Sequence, residues 1–295
     1  MCHYKGVPND QALSDSLHLS RCAVNAEMMQ WNKHKIVPTK NPKTVHIVGG
    51  GIGGMEAARV VKLRGHNPII YEKSDKLGGT FIPASAESYK QRLRELLAWY
   101  RLQMKKLGIE VKLNTEVKDI KGFNGEPVII ATGSKPRIPN VPGKELLVEA
   151  CEYLNGKKVG DVVAVIGGGL TGSEIAYELE LLGHHPIIIE MKDDLIAQKG
   201  VCLANSSYLR EYFAWKKVPV YLESVLKEVK EKSIVITDKD GNDKEIPCDS
   251  VISSIGYISS PLVEKGPNVH LVGDCLHVGN LRSVIWRAYE VAMKI

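Results

Sequence analysis

The sequence predicts an α/β protein made of two parallel-sheet units, one inserted into the other. Three observations predict it. From residue 44, the run TVHIV leads into GGGIGG, then a helical stretch ending at Gly65, then the β-rich NPIIYEK. Strand, glycine turn, helix, strand is a βαβ unit. The pattern returns at an offset of 118 residues as DVVAVIGGGLTGSEIAYELELLGHHPIIIEMK. Gly49 maps to Gly167, Gly51 to Gly169, Gly54 to Gly172, Gly65 to Gly183, Pro68 to Pro186 and Glu72 to Glu190. A constant offset across six positions points to two related domains. The length of 295 residues accommodates both, at about 150 residues per domain.

The remaining elements follow in order. Residues 1–42 are polar and irregular, end in KIVPTKNPK, and read as an N-terminal arm or linker. The stretch 88–108 (SYKQRLRELLAWYRLQMKKLG) is an amphipathic helix, with Leu93, Leu96, Leu97, Tyr100 and Met104 on one face. IEVKLNTEV and then PVIIATGS (127–134) read as strands. After the second repeat, VPVYLESVLKEV and SIVITDKDGNDKEIPCDSVISSIG read as a small β-meander turning at Asp240-Gly241. VHLVGDC (269–275) is a last strand, and LRSVIWRAYEVAMKI a last helix.

Composition excludes several classes. Apolar residues are 44% and charged residues 25%, which rules out a mostly disordered, collagen-like or coiled-coil chain. Lys plus Arg is 39 against 34 acids, and the excess of +5 is spread along the chain. No nucleic-acid or anionic-membrane partner is expected, since these call for a concentrated basic stripe. No run of about 18 apolar residues occurs, so no membrane span is expected. The first 20 residues hold no export signal, and a cytoplasmic location is expected. Six cysteines are scattered, with no CxxC and no metal-type spacing. They read as reduced thiols, and no metal site is expected.

The glycine turns carry the chemistry. A dinucleotide diphosphate brings two negative charges, and a helix N-terminus meets them with free N–H groups and a partial positive charge. Gly49 and Gly167 allow the tight turn, Gly51 and Gly169 the approach of the diphosphate, and Gly54 and Gly172 close helix–strand packing. Glu72 and Glu190 each lie 23 residues after the first glycine, near the spacing of about 20 at which an acid meets the adenosine ribose. A carboxylate at Glu190 repels a 2′-phosphate, and the local sequence IIIEMKDD offers no Arg. NADH is therefore favoured over NADPH. The fold class is α/β, with two nested Rossmann-like three-layer dinucleotide-binding domains.

These residues resemble the two-dinucleotide-binding-domain flavoprotein reductases over residues 43–295. The specific pieces are VGGGIGG with Glu72, LGGTF (77–81), IIATGS (129–134), IGGGLTG with Glu190, SSIGY (253–257) and LVGDC (271–275). The resemblance implies an FAD-binding domain at 43–150 and 262–295, and an NAD(H)-binding domain at 155–258. It places FAD contacts at Gly49, Gly51, Gly53, Gly54, Glu72, Lys73, Gly79, Thr80, Ala131, Thr132, Gly133, Gly273 and Asp274. It places nicotinamide-nucleotide contacts at Gly167, Gly169, Leu170, Gly172, Glu190 and Gly256.

A nearer resemblance is to the C-terminal part of the NADH:flavin oxidoreductases related to 2,4-dienoyl-CoA reductase, trimethylamine dehydrogenase and the bile-acid enoate reductases. RCAVNAE (21–27) looks like that family's RCxVNPE. Those enzymes pass electrons from nicotinamide through FAD and a [4Fe–4S] cluster to an FMN-bearing (β/α)8 barrel. Here 42 residues cannot encode a barrel. Of the cluster's cysteines only Cys22 has a counterpart, so a [4Fe–4S] cluster built by this chain alone is not expected. The implied partner is a separate electron acceptor such as an FMN barrel protein.

Hydride transfer from nicotinamide to flavin needs no acid, base or nucleophile from the protein, and no catalytic residue is assigned. LGGTFIPASAES carries no redox Cys pair, so disulfide reduction is not expected. The expected function is an NADH-oxidising FAD flavoprotein that hands electrons to a separate acceptor. The alternative is a nucleotide-binding scaffold, or a fragment module with no redox activity of its own.

Overall fold

The computed structural model describes residues 22–198 and 201–295; Cys2 and Arg21 lie outside the described residues. In chain order the elements are β1 (Thr44–Val48), α1 (Ile52–Leu63), β2 (Asn67–Tyr71), α2 (Phe81–Ala84), α3 (Gln91–Lys106), β3 (Glu110–Lys112), β4 (Val128–Ile130) and β5 (Ser134–Pro136). Then come β6 (Val148–Glu149), α4 (Ala150–Leu154), β7 (Val162–Ile166), α5 (Leu170–Leu181), β8 (His185–Ile189), α6 (Leu203–Lys216) and β9 (Val220–Tyr221). The chain closes with β10 (Val225–Val229), β11 (Ser233–Thr237), β12 (Asp243–Pro247), β13 (Ser250–Ser253), β14 (Tyr257–Ser259), β15 (Val269–Leu271) and α7 (Leu281–Ala292).

The chain forms two compact units. Of the described residues, the first holds those from Cys22 to Ser85, Gln91–Lys135 and Ile258–Ile295; the second holds Ala86–Lys90 and those of Pro136–Tyr257. The main stretch of the second unit thus begins at Pro136, ahead of the expected 155. The physical reason is pairing: Val148 and Glu149 run beside Ile252 and Ser253, and Val141 and Leu147 pack under the meander. Ser88 also belongs there instead of opening a helix, because its amide and hydroxyl both donate to the Glu178 carboxylate, at 2.9 and 2.8 Å.

In the first unit the sheet order is β15-β4-β1-β2-β3, all parallel. Val45, Ile47, Ile70 and Ile129 face α1, α3 and α7 in one core. On α3 the buried residues are Leu97, Tyr100 and Met104, on the face that periodicity predicts. The other sheet face, carrying Val48, Val128 and Ile130, is covered by Val117, Ile120, Phe123, Leu262 and Val263. Apart from Phe123, which ends a short 3-10 turn, these covering residues come from irregular chain, since the strand expected from IEVKLNTEV stops at Lys112. Two residues on, Asn114 adopts φ 50° and turns the backbone.

The second unit repeats the plan with the order β6-β13-β7-β8-β9, all parallel. Ile175, Ala176 and Leu179 of α5, with Leu209 and Phe213 of α6, cover one face. The antiparallel β10-β11-β12 meander covers the other, through Ile234, Ile236 and Ile246. Strands buried on both faces read as continuous apolar runs, as VVAVI and PIII do.

The repeat runs further in structure than in sequence. The amide of Thr115 donates to the carbonyl of Glu72, as that of Ser224 does to Glu190. Asn114 and Glu223 hold the same left-handed turn, φ 50° and 49°. Arg101 of α3 and Arg210 of α6 each donate to the carbonyl just before the matching loop, Leu77 and Leu195. The edge strands break the symmetry. The first unit takes β15 from far down the chain and the second takes β6 from just upstream.

The stretch 22–42, expected to be a linker, packs into the first unit. Ala23, Ala26 and His34 are buried. His34 Nδ1 lies 2.6 Å from the Ala26 carbonyl, and Trp286 Nε1 donates to the Cys22 carbonyl at 2.9 Å. Small residues in RCAVNAE let this backbone lie close against α7. Trp286→Ala should therefore cost about 3–5 kcal/mol in urea unfolding. Trp286→Phe should cost about 1 kcal/mol, the worth of the lost hydrogen bond. A phenylalanine variant as stable as wild type would show that the contact with Cys22 contributes nothing.

Among the described residues no helix is long and apolar enough to cross a membrane.

Candidate functional site

Each unit carries a glycine turn between its first strand and first helix. In the first, Gly49 sits at φ +108°, and a Cβ there would lie 2.4 Å from the Ala131 carbonyl oxygen. In the second, Gly167 sits at φ +101°, with Ser254 in the place of Ala131, also 2.4 Å away. The helix must then pass hard against the turn. A Cβ at Gly54 would lie 2.0 Å from the Gly49 oxygen, and one at Gly172 1.8 Å from the Gly167 oxygen. Only glycine fits at these four positions.

Gly51 and Gly169 differ in kind. Gly51 has ordinary extended backbone, and a Cβ on it would meet nothing within 4 Å. At Gly169 the one neighbour would be Gln198 Oε1, at 3.3 Å. Both are helix N-caps that offer no side-chain cap, so first-turn amides face the open space. The fold itself leaves room for a side chain at both places. A bare residue there suits the close approach of an anionic ligand, and the cradle fits a dinucleotide diphosphate.

The two acids are buried at the ends of β2 and β8. Glu72 accepts from the Gly50 amide at 2.7 Å and from the Ser74 amide and hydroxyl at 2.8 and 2.7 Å. Glu190 accepts from the Gly168 amide at 2.7 Å and the Lys192 amide at 2.9 Å. Each carboxylate therefore pins its own glycine turn, a duty that spacing alone does not reveal. A carboxylate offers about four lone-pair sites, so Glu190 keeps two for a ribose diol.

In the second unit Gly167, Gly169, Leu170, Glu190 and Gly256 line one cleft of about 460 Å³. Gly172 lies behind it against Gly167. Thr171, Met191, Lys192, Gln198, Ser224 and Tyr257 line the same cleft and were not anticipated. Most follow a strand end or a glycine already marked, which is the signal that could have found them.

In the first unit the structure brings Gly49 to Ala131, Gly51 to Gly79, and Gly53 to Gly273. Thr132 donates to the Ser260 carbonyl at 2.8 Å, and the Gly133 carbonyl accepts from the Ser260 amide at 3.1 Å. Burial raises the Asp274 carboxyl above its ordinary value, against the opposing bond from the Gly279 amide at 3.1 Å. Lys73 and Thr80 are exposed beside the turn. Past Asp274, α7 opens with a capping box between Asn280 and Ser283.

The described cysteines are free. Burial pushes the Cys151 and Cys248 thiols up to about 11, so neither is a thiolate nucleophile near neutrality. Among the described residues, no group of three or more His, Cys, Asp or Glu could hold a metal ion.

Two nucleotide-type folds, each with a bare-glycine cradle and a carboxylate at the next strand end, define a protein of the two-dinucleotide-fold class. The chain belongs to the pyridine nucleotide-disulphide oxidoreductase family, whose model matches residues 123–271, and an NAD(P)-binding Rossmann-like domain matches residues 47–93. It is similar to the cinnamate reductase of Clostridium sporogenes, 36% identical over 283 residues, covering 93% of this chain and 42% of that protein. It is similar to the NADH oxidase of Thermoanaerobacter brockii, 30% identical over 294 residues, covering 93% of this chain and 44% of that one. A solved 2-naphthoyl-CoA reductase complex superposes with a TM-score of 0.84 at 30% identity, covering 93% of this chain and 43% of that one. The chain thus spans less than half the length of these relatives. The part it covers carries the pyridine nucleotide oxidoreductase and NAD(P)-binding Rossmann-like domains.

Proposed function

We propose that this chain is an electron-input module: NADH binds in the cleft of the second unit, FAD binds in the first, and electrons leave for a separate acceptor. The carrying observation is the duplicated cradle, with bare Gly51 and Gly169 over uncapped helix N-termini. When bound, FAD supplies a hydride acceptor at N5 and a route for electrons onward. In the first unit Gly49, Gly51, Gly53 and Gly54 would hold the diphosphate, and Glu72 the adenosine ribose. Asp274 would take the flavin side, with Gly79, Thr80, Ala131, Thr132, Gly133, Gly273 and Lys73 around it. In the second unit Gly167, Gly169 and Leu170 would serve the diphosphate, with Gly172 letting the helix pack behind that turn, Glu190 the ribose and Gly256 the nicotinamide side. The protein orients and encloses; it moves no proton.

The choice of NADH over NADPH rests on Glu190. Its charge sits where a 2′-phosphate would lie. Arg210 is tied up by Asp194 and the Leu195 carbonyl instead of facing the ribose. By the likeness to longer reductases, the acceptor is a one-electron centre or second flavin, such as an FMN barrel protein.

The test is the anaerobic visible spectrum before and after NADH. A flavin spectrum bleached by NADH is the expected result. Flavin that NADH does not bleach would remove the role of the second unit. A protein that stays colourless after incubation with FAD would favour the scaffold reading. No NADH-driven reduction of a small disulfide substrate is expected at any rate above background, because among the described residues no thiol pair flanks the flavin cradle. Turnover with such a disulfide would overturn that part.

A further inference from the structure

The cleft of the second unit has a direction. In its sheet β8, β7 and β13 are neighbours in that order. Glu190 follows β8, the glycine turn follows β7, and Ser254–Tyr257 follow β13. A dinucleotide with its adenosine ribose at Glu190 and its diphosphate at the start of α5 must run onward over β13. The far half is therefore directed at Ser254, Ile255, Gly256 and Tyr257, which follow β13 and line the same cleft. Among the residues lining the cleft, Tyr257 is the one aromatic.

The polar end of Tyr257 is turned to a network away from any ligand role. The Tyr257 hydroxyl donates to Glu149 Oε1 at 3.2 Å and accepts from the Cys151 thiol, its sulfur 2.9 Å away. Glu149 is itself locked, since its other oxygen caps α4 through the Cys151 amide at 2.7 Å. Its backbone is held as well, paired with Ser253 of β13. On the main-chain side, the Arg137 amide donates to the Gly256 carbonyl at 2.9 Å. Burial keeps the thiol protonated, up to about 11, and pushes the phenol above its ordinary value. Both groups thus keep the protons this relay needs. A side chain anchored at its tip has only its ring to offer the cleft.

We propose that Tyr257 is a positioning residue for the nicotinamide riboside half of the dinucleotide, its ring forming the end wall of the cleft and held there by Glu149 and Cys151. This rests on the reading that the cleft takes NADH. The test compares NADH with ADP, which carries only the adenosine half. FAD-loaded protein, its flavin reduced beforehand with dithionite so that NADH binds without transferring a hydride, is titrated anaerobically with each, so that ADP reads the second unit alone; Glu190→Ala, which should weaken both ligands, is the control for the site. Tyr257→Ala should raise the Kd for NADH about tenfold, the scale of one aromatic contact, and leave that for ADP unchanged. Tyr257→Leu keeps the bulk, and should show the same selective loss if the alanine variant does not fold. Tyr257→Phe keeps the ring and loses the anchor, so its loss should be smaller.

An unchanged Kd for NADH would overturn the proposal. So would equal loss of NADH and ADP, which would make Tyr257 a plain support of the fold. Wild-type protein that binds neither ligand would remove both this inference and the reading beneath it. Wild-type binding with an indifferent Tyr257→Leu would remove this inference alone.

Discussion

Gly51→Val is expected to yield a folded protein that holds FAD at least a hundredfold more weakly, whereas Gly54→Val is expected to destabilise its first unit by about 3 kcal/mol or more. The two glycines are three residues apart in one turn, yet their surroundings are opposite. Gly51 has φ −70° and ψ −178°, backbone that any residue adopts, and open space where its Cβ would be. A side chain there strains nothing in the protein and fills the volume over the helix N-terminus. A hundredfold loss is about 2.7 kcal/mol, a modest demand on a displaced diphosphate. At Gly54 a Cβ would lie 2.0 Å from a main-chain oxygen. The oxygen belongs to the turn and cannot move without opening it. Overpacking of this kind costs about 1–3 kcal/mol or more, against a total stability of about 5–15 kcal/mol, and valine adds two further methyl groups. Thermal melts of the apoproteins and flavin fluorescence titration separate the two effects. A Gly51→Val protein that binds FAD like wild type would sink the assignment of that cradle.

Glu190→Ala should weaken NADH about tenfold to a hundredfold while FAD stays bound. Two costs combine. The ribose loses its acceptor, and the Gly168 and Lys192 amides lose theirs. An unsatisfied buried donor costs about 1–3 kcal/mol, so the second unit should also unfold at lower urea. Glu190→Gln keeps one accepting oxygen and should fall between alanine and wild type. Removing the carboxylate also removes its repulsion of a 2′-phosphate, so the ratio of NADPH to NADH affinity should rise in both variants. Binding titrations with each nucleotide decide the matter. Loss of flavin from Glu190→Ala would contradict the division of labour between the units.

Much of this was open to reading in one dimension. The residues of β1, TVHIV, were recognisable because a strand buried on both faces must be apolar throughout. The apolar face of α3 was recognisable because 3.6-residue periodicity survives any detail of packing. The arm at 22–42 was not. Its apolar residues follow neither the helix nor the strand period, and what packs on Ala26 and His34 is a helix at the other end of the chain. The continuation of the repeat through α3 and α6 was equally hidden, because Arg101 and Arg210 answer to a carbonyl position and not to a shared motif.

The sequence by itself determined where the two glycine turns lie and which acid stands at the next strand end. Positive φ and backbone contact at about 2 Å admit only glycine, so local sterics write these positions into the residue types. The tertiary structure alone decided what surrounds them. It supplied a fifth strand from β15 in one unit and β6 in the other, folded the arm onto α7, and gave Glu72 and Glu190 their hold on the turns. It also brought Glu149, Cys151 and Tyr257 together from distant stretches. Such contacts form between segments far apart in the chain, where many side chains would serve, and so leave no spacing to read.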